Sequence, residues 1–293
     1  MTGNEKPAAA GPGESVTVVT LTRYRPVLVQ RAMRSVRAQV ADVPVRHLVL
    51  IDDSEETLTA LSEVTDAFPH CEVRYVPREP HEKSGPGRSS RLRNLGVRLS
   101  DSSWIAYLDD DNEWTPDHLQ SLLDQARSVR AVYSEVGLLD KDGAPYLEPR
   151  WPWANSVAEA ERMYADYVAK GICVPGSNVI KDRPGTYEVP VDTSAWLLAR
   201  ELLLAVPFEE QFSAADADGL VSEDDKLYYR LVQGREPMVC TGRDAPLLPG
   251  RLLQQPRDRH ARGAGRDRLG LGVRRLPDTR GARRRQTRER VPW

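Results

Sequence analysis

Residues 105–112 read IAYLDDDN, a short apolar run that leads directly into three consecutive aspartates. Like charges packed together repel one another, and a carboxylate is costly to bury without a partner. Two arrangements would balance these charges. One is a surface turn in which water solvates the aspartates. The other is a site for a divalent cation that carries a phosphorylated substrate.

The first 114 residues alternate between apolar, β-branched runs and helical patterns. The runs predict strands at 15–21, 46–53, 71–76 and 104–108, and the spacing predicts helices from Pro26, over 55–67 and over 91–99. Gly85-Pro86-Gly87 reads as the breaker of a long loop at 77–90. This alternation predicts an α/β fold with right-handed crossovers, a parallel sheet and helices on both of its faces.

Two acidic clusters follow predicted strands. Asp52 and Asp53 end the second strand, and Asp109, Asp110 and Asp111 end the fourth. Ligands of such sheets bind beyond the carboxyl ends of the strands, so both clusters are expected at one edge. If the segment stays extended, Asp109 and Asp111 point to one side and Asp110 points away. Such a D-x-D pair suits Mg²⁺, which binds one or two carboxylates together with phosphates and water.

The second half of the chain has less regular patterns. They predict helices over 116–129, 156–169 and 222–234, and an apolar strand joined to a short helix over 193–207. A hairpin is expected to turn at 141–143, where the sequence reads Lys-Asp-Gly. Ser222 and Asp225 have the spacing of an acidic variant of the capping box, which predicts a helix start at this point.

The formal net charge of −2 hides an asymmetry along the chain. Residues 243–293 contain 15 arginines and 5 acidic residues, and the remaining residues are correspondingly acidic. Three widely spaced cysteines form no metal or disulfide pattern and fit a reducing cytoplasm. The N-terminus lacks the features of a signal peptide. No run of apolar residues approaches the length of about 18 residues that a membrane-spanning helix needs. We therefore expect a cytoplasmic protein.

The two ends of the chain predict segments outside the folded domain. Residues 1–14 are small, polar and rich in Gly and Pro, which predicts a disordered leader. Residues 243–293 allow three interpretations: a disordered tail, a product of a shifted reading frame, or a basic arm for nucleic acid or anionic lipid. The arm lacks the aromatic residues that stack on bases, so no specific nucleic-acid partner is expected. The predicted domain is 15–242.

Four stretches resemble, in order and spacing, the family-2-type glycosyltransferases of the GT-A fold. They read SVTVVTLTRYRPVLVQRAMRSVRAQ, HLVLIDDS, RLRNLGVRLSDSSWIAYLDDDNEWTPDHL and SEDDKLYYRLVQG, and they cover roughly residues 15–240. The most specific piece is Arg93-Asn94-x-Gly96 followed by the strand and the aspartates. The resemblance implies a mixed, mostly parallel Rossmann-like sheet. Its nucleotide-sugar half would be 15–114 and its acceptor half 115–242.

The resemblance also implies roles for individual residues. The sugar-donor site would include the side chains of Thr20, Thr22, Asp52, Asp53, Arg93, Asp109 and Asp110. Asp111, together with Asp109, would bind a divalent metal, Mg²⁺ or Mn²⁺. Glu223 and Asp224 match the acidic pair on the acceptor side, where Asp224 would be the general base. One departure is that TLTRYRP replaces the usual Pro-x-Tyr-Asn-Arg after the first strand.

The expected function is therefore metal-assisted transfer of a sugar, with inversion at the anomeric carbon. The sugar donor would be a UDP-, GDP- or dTDP-sugar, and the acceptor a small molecule or a glycan. A nucleotidylyltransferase is the enzymatic alternative, but it usually needs a Gly-rich loop after strand one, and TRYRP has no glycine. A catalytically impaired nucleotide-sugar-binding protein is the other alternative. The presence of Glu223-Asp224 argues against it.

Overall fold

A computed structural model describes residues 14–140, 142–154, 156–181, 191–218 and 221–249 of the 293-residue chain. The predicted leader, apart from Glu14, lies outside these ranges. The predicted tail from residue 250 onward and Lys141 of the predicted hairpin turn also lie outside them.

Eight strands and eight α-helices make up the described part of the chain. The strands are β1 Val16–Thr22, β2 Val45–Asp52, β3 Cys71–Val76, β4 Trp104–Tyr107, β5 Ala131–Leu139, β6 Val179–Ile180, β7 Trp196–Ala199 and β8 Met238–Pro249. The helices are α1 Pro26–Arg37, α2 Glu55–Ser62, α3 Pro86–Leu99, α4 His118–Leu123, α5 Val157–Ala169, α6 Arg200–Ala205, α7 Ala214–Asp218 and α8 Glu223–Gln233. Two short 3-10 helices cover Thr65–Ala67 and Thr193–Ala195.

All eight strands belong to one sheet, whose order is β3-β2-β1-β4-β7-β5-β6, with β8 paired to β5. Strands β1 to β4 run parallel to one another, whereas β7 is antiparallel to β4 and to β5. The sheet is thus mixed and mostly parallel on its β3 side, as the sequence analysis predicts. Because β7 reverses direction, β5 runs in the same sense as β4. The carboxyl ends of β1, β2, β4 and β5 therefore share one edge.

The strands nearest the centre of the sheet are buried, which explains their continuous apolar sequences. Six of the seven residues of β1 are fully buried or nearly so, and all four residues of β4 are buried. Helix α1 begins with Pro26 in its first turn, and its buried face includes Val29, Ala32, Met33 and Val36. Proline suits this position because the first amide of a helix needs no acceptor within the helix.

Helix α3 corrects the predicted loop at 77–90. The structure starts this helix at Pro86, with Gly85 as its N-cap residue at φ +134°. Only glycine adopts such a backbone readily, and proline after it favours a helix start rather than a loop. Gly87 lies in the first turn, where an added Cβ would come 2.7 Å from the carbonyl oxygen of Glu210. The Gly-Pro-Gly sequence therefore begins a helix.

The second half of the chain follows the predicted elements with changes in their extent. Helix α8 begins after Ser222, and the Ser222–Asp225 capping box is present. The chain reverses after β5, where Asp140 N–H donates to Ala144 O and Leu139 bridges to Pro145. Helix α4 is shorter than predicted. The predicted domain boundary at 242 falls inside β8, because this strand continues to Pro249.

Within the residues described, no helix combines the length and the apolar character needed to cross a membrane.

Candidate active site

The acidic triplet forms a turn at the edge of the sheet where β1, β2 and β4 end. The Asn112 N–H donates to the Asp109 carbonyl oxygen, which closes the turn across the triplet. Ser194, in the 3-10 helix before β7, fixes this turn from the other side. Its hydroxyl oxygen accepts from the Asp109 N–H at 3.2 Å and from Asn112 Nδ2 at 2.7 Å. The reversed strand β7 thereby positions the triplet.

Asp110 and Asp111 converge on one guanidinium nitrogen, which defines the Arg25 cluster (Arg25, Asp110 and Asp111). Arg25 Nη1 lies 2.9 Å from Asp110 Oδ1 and 2.9 Å from Asp111 Oδ2. The second oxygen of Asp110 accepts from the Thr22 hydroxyl at 2.8 Å. Asp110 is buried, and this burial raises its pKa to about 6 against the opposing charge of Arg25.

This arrangement corrects the predicted alternation of the triplet. The prediction placed Asp109 and Asp111 on one side and directed Asp110 elsewhere. It assumed an extended segment, but β4 ends at Tyr107 and the aspartates lie in a turn. A turn removes the two-residue periodicity of a strand. Consequently Asp110 and Asp111 face one point, and Asp109 faces a different arginine.

Arg93 holds a second group of acids, the Arg93 cluster (Arg93, Asp109 and Glu223). Arg93 Nη2 lies 3.0 Å from Asp109 Oδ1 and 3.1 Å from Glu223 Oε1. The side chain of Arg93 is only 5% exposed, and its guanidinium group lies over the aromatic rings of Tyr107 and Phe208. One buried cation thus connects the end of β4 to the start of α8.

Glu223 and Asp224 lie in the first turn of α8, where the partial positive charge of a helix N-terminus favours acids. Burial raises the pKa of Glu223, although the charge of Arg93 acts in the opposite direction. Asp192 lies near Asp109 and Asp224, and their charges affect its pKa. Burial and the nearby charges of Asp109 and Asp224 raise the pKa of Asp192 well above its usual range.

The Arg93-Asn94-x-Gly96 motif has a structural explanation in helix α3. Asn94 Oδ1 accepts from the Phe208 N–H at 2.9 Å, and its Nδ2 donates to the Phe208 carbonyl and to Glu210. Gly96 faces β1, where an added Cβ would lie 2.7 Å from Val19 Cγ1. The glycine lets α3 approach the sheet closely. The asparagine fixes the 208–210 segment, and both serve to place Arg93 beside the triplet.

Asp52 and Asp53 differ in their partners at the end of β2. Asp52 is paired with two arginines, with Arg88 Nε at 2.9 Å from Oδ1 and Arg78 Nη2 on Oδ2. Asp53 has φ +52° and accepts through Oδ1 from the Tyr75 hydroxyl and the Arg78 N–H. Those two hydrogen bonds, the one from Arg78 first, lower the pKa of Asp53. Within the described residues, both hydrogen bonds to the Asp53 side chain thus go to the same oxygen.

The two predicted threonines lie in different places. Thr22 is the last residue of β1 and contacts the triplet through Asp110. Thr20 is fully buried, and its Oγ1 lies 2.9 Å from Nε2 of His47 on the neighbouring strand. The Thr20 side chain is therefore engaged inside the protein, and a contact between Thr20 and a sugar donor stays a prediction. Both residues are threonines on a strand, and their sequence does not distinguish the end of the strand from its interior.

Sequence reasoning missed two side chains that shape this edge, Arg25 and Asp192. Arg25 belongs to the atypical TRYRP segment, and its position just before the helix-starting Pro26 is the signal that could have singled it out. Arg88 lies within the predicted loop at 77–90, and the structure instead places it in the first turn of α3, where it pairs with Asp52. Asp192 is a single acid in a stretch without any motif, and no pattern in the sequence identifies it.

The Arg25 cluster is the arrangement that fits a divalent cation. Two carboxylate oxygens already point at one positively charged atom, which is the geometry that a cation between them would require. Over the described ranges, no group of three or more His, Cys, Asp and Glu side chains is placed to hold a metal ion. Asp110 and Asp111 would therefore need phosphate and water ligands to complete the shell, which is typical of Mg²⁺.

The family model for glycosyl transferase family 2 matches residues 15–183. This is more than half of the chain, and the chain belongs to this family.

The names of two curated relatives that are similar in sequence to this chain refer to polysaccharide biosynthesis. One is the succinoglycan biosynthesis protein ExoW of Rhizobium meliloti, 33% identical over 35% of this chain and 30% of the relative. Another is the amylovoran biosynthesis glycosyltransferase AmsB of Erwinia amylovora, 22% identical over 66% of this chain and 58% of the relative. The chain thus spans less than two thirds of either relative.

Two solved structures share the fold at low sequence identity. TarS of S. aureus aligns with a TM-score of 0.51 and 12% identity, over 80% of this chain and 36% of that one. The mannosyltransferase PcManGT of Pyrobaculum calidifontis, solved with GDP-Man and Mn²⁺, aligns with a TM-score of 0.50 and 14% identity. That alignment covers 79% of this chain and 56% of the other. These similarities support the GT-A fold.

Proposed function

We propose that this protein transfers a sugar from a nucleotide-diphospho-sugar to an acceptor hydroxyl, with the help of Mg²⁺ or Mn²⁺ and with inversion at the anomeric carbon. The observation that carries the proposal is the convergence of Asp110 and Asp111 on one point at the edge of the sheet. Family membership favours sugar transfer over the nucleotidyl transfer that the sequence also allowed.

The nucleotide would bind along the ends of β1 and β2. Asp53 would offer a carboxylate oxygen to the base or the ribose, while Asp52 is neutralised by Arg78 and Arg88. The lowered pKa of Asp53 keeps this carboxylate ionised, so it acts as a hydrogen-bond acceptor. The named sugar donors of solved relatives, GDP-Man and UDP-GlcNAc, are of the expected chemical class.

The diphosphate would lie beside the acidic triplet. A divalent cation held by Asp110 and Asp111 would stabilise the charge that grows on the leaving diphosphate, without a proton transfer. Asp109 faces away from that point and toward Arg93, which suits a contact with the sugar or the ribose. Arg93 would act on the sugar donor through Asp109, whose carboxylate it holds.

Asp224 is the proposed general base. It lies in the first turn of α8 beside Glu223, which Arg93 ties to the triplet. In the reaction the bond between the anomeric carbon and the diphosphate oxygen breaks, and the acceptor oxygen bonds to that carbon. The acceptor proton goes to Asp224. One base without an enzyme nucleophile gives a single displacement, and a single displacement inverts the configuration.

The acceptor is proposed to be a saccharide or a small molecule with a free hydroxyl. The names of the curated relatives, which refer to succinoglycan and amylovoran biosynthesis, favour a saccharide. This assignment concerns the whole activity, and the chain covers only part of each relative.

The test is a thermal-shift screen with UDP, GDP and dTDP and their sugars, each with and without Mn²⁺. Ligands that bind only the folded state raise the unfolding temperature. We expect the nucleotides of one nucleobase to raise the unfolding temperature, and only when Mn²⁺ is present. Stabilisation by none of the nucleotides would contradict the proposal. Stabilisation without release of nucleoside diphosphate over long incubation would instead favour the impaired sugar-nucleotide-binding protein.

A further inference from the structure

Arg25 occupies the point between the two carboxylates that a cation would need. Its Nη1 lies 2.9 Å from Asp110 Oδ1 and 2.9 Å from Asp111 Oδ2. A divalent cation binds carboxylate oxygens at about 2.0–2.6 Å, so it would lie almost where Nη1 lies. Two positive centres at that separation repel strongly. Arg25 and the cation therefore exclude each other from this point.

Contacts other than those with Arg25 also hold the acidic triplet in position. Asp110 keeps the hydrogen bond from Thr22 through its other oxygen. The turn is also held by Ser194. The Arg25 side chain is 35% exposed, so it can move into solvent without crossing the protein interior. The Asp110 carboxylate and the main chain of the turn would keep their places when Arg25 leaves.

The diphosphate of a sugar donor offers Arg25 an alternative partner. A guanidinium group binds phosphate oxygens through two parallel N–H bonds, which is at least as favourable as its contacts with the carboxylates. Arg25 is the N-cap residue of α1, so its side chain starts at the carboxyl end of β1, where the diphosphate is expected. A move from the aspartates to the diphosphate would require only a side-chain rotation.

We infer that Arg25 is an internal counter-cation of the Asp110–Asp111 pair, and that it makes cation binding dependent on the diphosphate of the sugar donor. This inference rests on the proposed function. Arg25 neutralises the two carboxylates until a diphosphate draws it away, and the same diphosphate then supplies further oxygen ligands to the cation. The cation and the nucleotide therefore bind cooperatively, and Arg25 acts as a positioning residue.

Mn²⁺ titrations followed by electron paramagnetic resonance test this role without an activity assay. They use the full chain and its Arg25→Gln variant, each alone and with UDP, GDP or dTDP. We expect Arg25→Gln to bind Mn²⁺ alone about tenfold more tightly than the wild type, because removal of the competing charge favours the cation. The effect of the nucleotide on Mn²⁺ affinity should shrink correspondingly. A merely structural role for Arg25 would produce a loss of affinity.

Arg31→Gln is the matched control. Arg31 also lies beside the triplet and is equally exposed, but its contacts are with Glu113 and the Asp111 carbonyl. It should change Mn²⁺ affinity less than about twofold, because a half-exposed charge that does not share the two carboxylates is screened by solvent. Equal gains in both variants would show a general charge effect and overturn the inference. No gain in Arg25→Gln would also overturn it.

Arg25→Lys protects the test against loss of fold in the first variant. Lysine keeps one charge on a compact head group and cannot reproduce the fork of arginine, so it competes less well for the two oxygens. We expect an intermediate gain of about threefold. Unchanged affinity in folded Arg25→Lys would count against the inference. If no nucleotide binds while Arg25→Gln still gains Mn²⁺ affinity, the counter-cation stands and the proposed sugar-donor function fails.

Discussion

The two arginine clusters at the edge of the sheet use the same chemistry in different surroundings. In the Arg93 cluster the guanidinium side chain is 5% exposed and joins acids from two distant segments, the β4 end and α8. In the Arg25 cluster the guanidinium side chain is 35% exposed and its two acids are neighbours in sequence. Burial, and not the number of ion pairs, separates a fixed connection from one that can be exchanged.

This difference has an energetic basis. A buried charge that loses its partner pays the full cost of desolvation, whereas an exposed one is taken over by water. Arg93 is therefore expected to remain on its acids throughout a reaction cycle. Arg25 can leave its acids at a lower cost, because its own side chain is partly exposed, although the buried Asp110 must then gain another cation. Substitution of either arginine changes one cluster and leaves the other intact.

The largest expected effect is on activity, in Asp224→Asn. Loss of a general base typically lowers the rate about 10²–10⁴-fold. The side chain accepts from the Asp225 N–H, a bond that asparagine preserves, so the free energy of unfolding should change by less than about 0.5 kcal/mol. The rate is measured as release of nucleoside diphosphate. The substrate is the sugar donor that gives the largest increase in unfolding temperature. Full activity in this variant would refute the assignment of the base.

The largest expected effect on stability is in Arg93→Gln. Removal of one partner from a buried ion pair costs about 3–5 kcal/mol, and Asp109 and Glu223 would both lose their cation. Urea denaturation measures the change in the free energy of unfolding. A change below about 1 kcal/mol would mean that Arg93 is not a fixed connection between the end of β4 and α8.

An intermediate effect is expected from Asp192→Asn, and it depends on pH. The folded protein holds a proton on Asp192 at pH values where the unfolded chain has released it, because the pKa is raised on folding. Its contribution to stability is therefore present at low pH and lost as pH rises above the ordinary carboxyl range, about 4. The stability of the variant relative to the wild type should rise between pH 5 and 8, by about 1 kcal/mol or more. Urea denaturation at each pH tests this, and a pH-independent difference would contradict the raised pKa.

The smallest expected effect is the stability change of Arg25→Gln. The Arg25 side chain is partly exposed but its partner Asp110 is buried, so the loss should be about 1 kcal/mol, at the upper end of the range for exposed pairs and below that for buried ones. The same urea experiment as for Arg93→Gln gives the comparison directly. If both variants lose equal stability, the distinction between a fixed and an exchangeable arginine is wrong.

The first half of the fold was predictable because its signals are local and strong. The apolar runs that form β1, β2 and β4 have few alternatives, and Pro26 marks the start of α1. The start of α3 was not found, because Gly-Pro-Gly is compatible with either a loop or a helix N-terminus. The outcome depends on the packing of Gly87 against the 208–210 segment, which is a contact distant in sequence.

The candidate site was predictable in its acids and not in its arrangement. The acidic triplet stands out by its position after a strand, the family resemblance indicates Arg93 and Glu223, and the structure brings them together at one edge. The convergence of Asp110 and Asp111 on Arg25 depends on a turn held by Ser194, which lies in the 3-10 helix before the reversed strand β7. No local pattern predicts where such a strand inserts between β4 and β5. Asp192 was missed for the same reason.

Nucleotide-dependent thermal stabilisation of Asp111→Asn, measured with Mn²⁺, tests the central claim most directly. The matched control is Asp101→Asn, since Asp101 is an exposed acid at the opposite end of β4. If Asp110 and Asp111 hold the cation, Asp111→Asn should lose the Mn²⁺-dependent part of the shift while Asp101→Asn keeps it. An Asp111→Asn protein with the full Mn²⁺-dependent shift would contradict the proposed cation site.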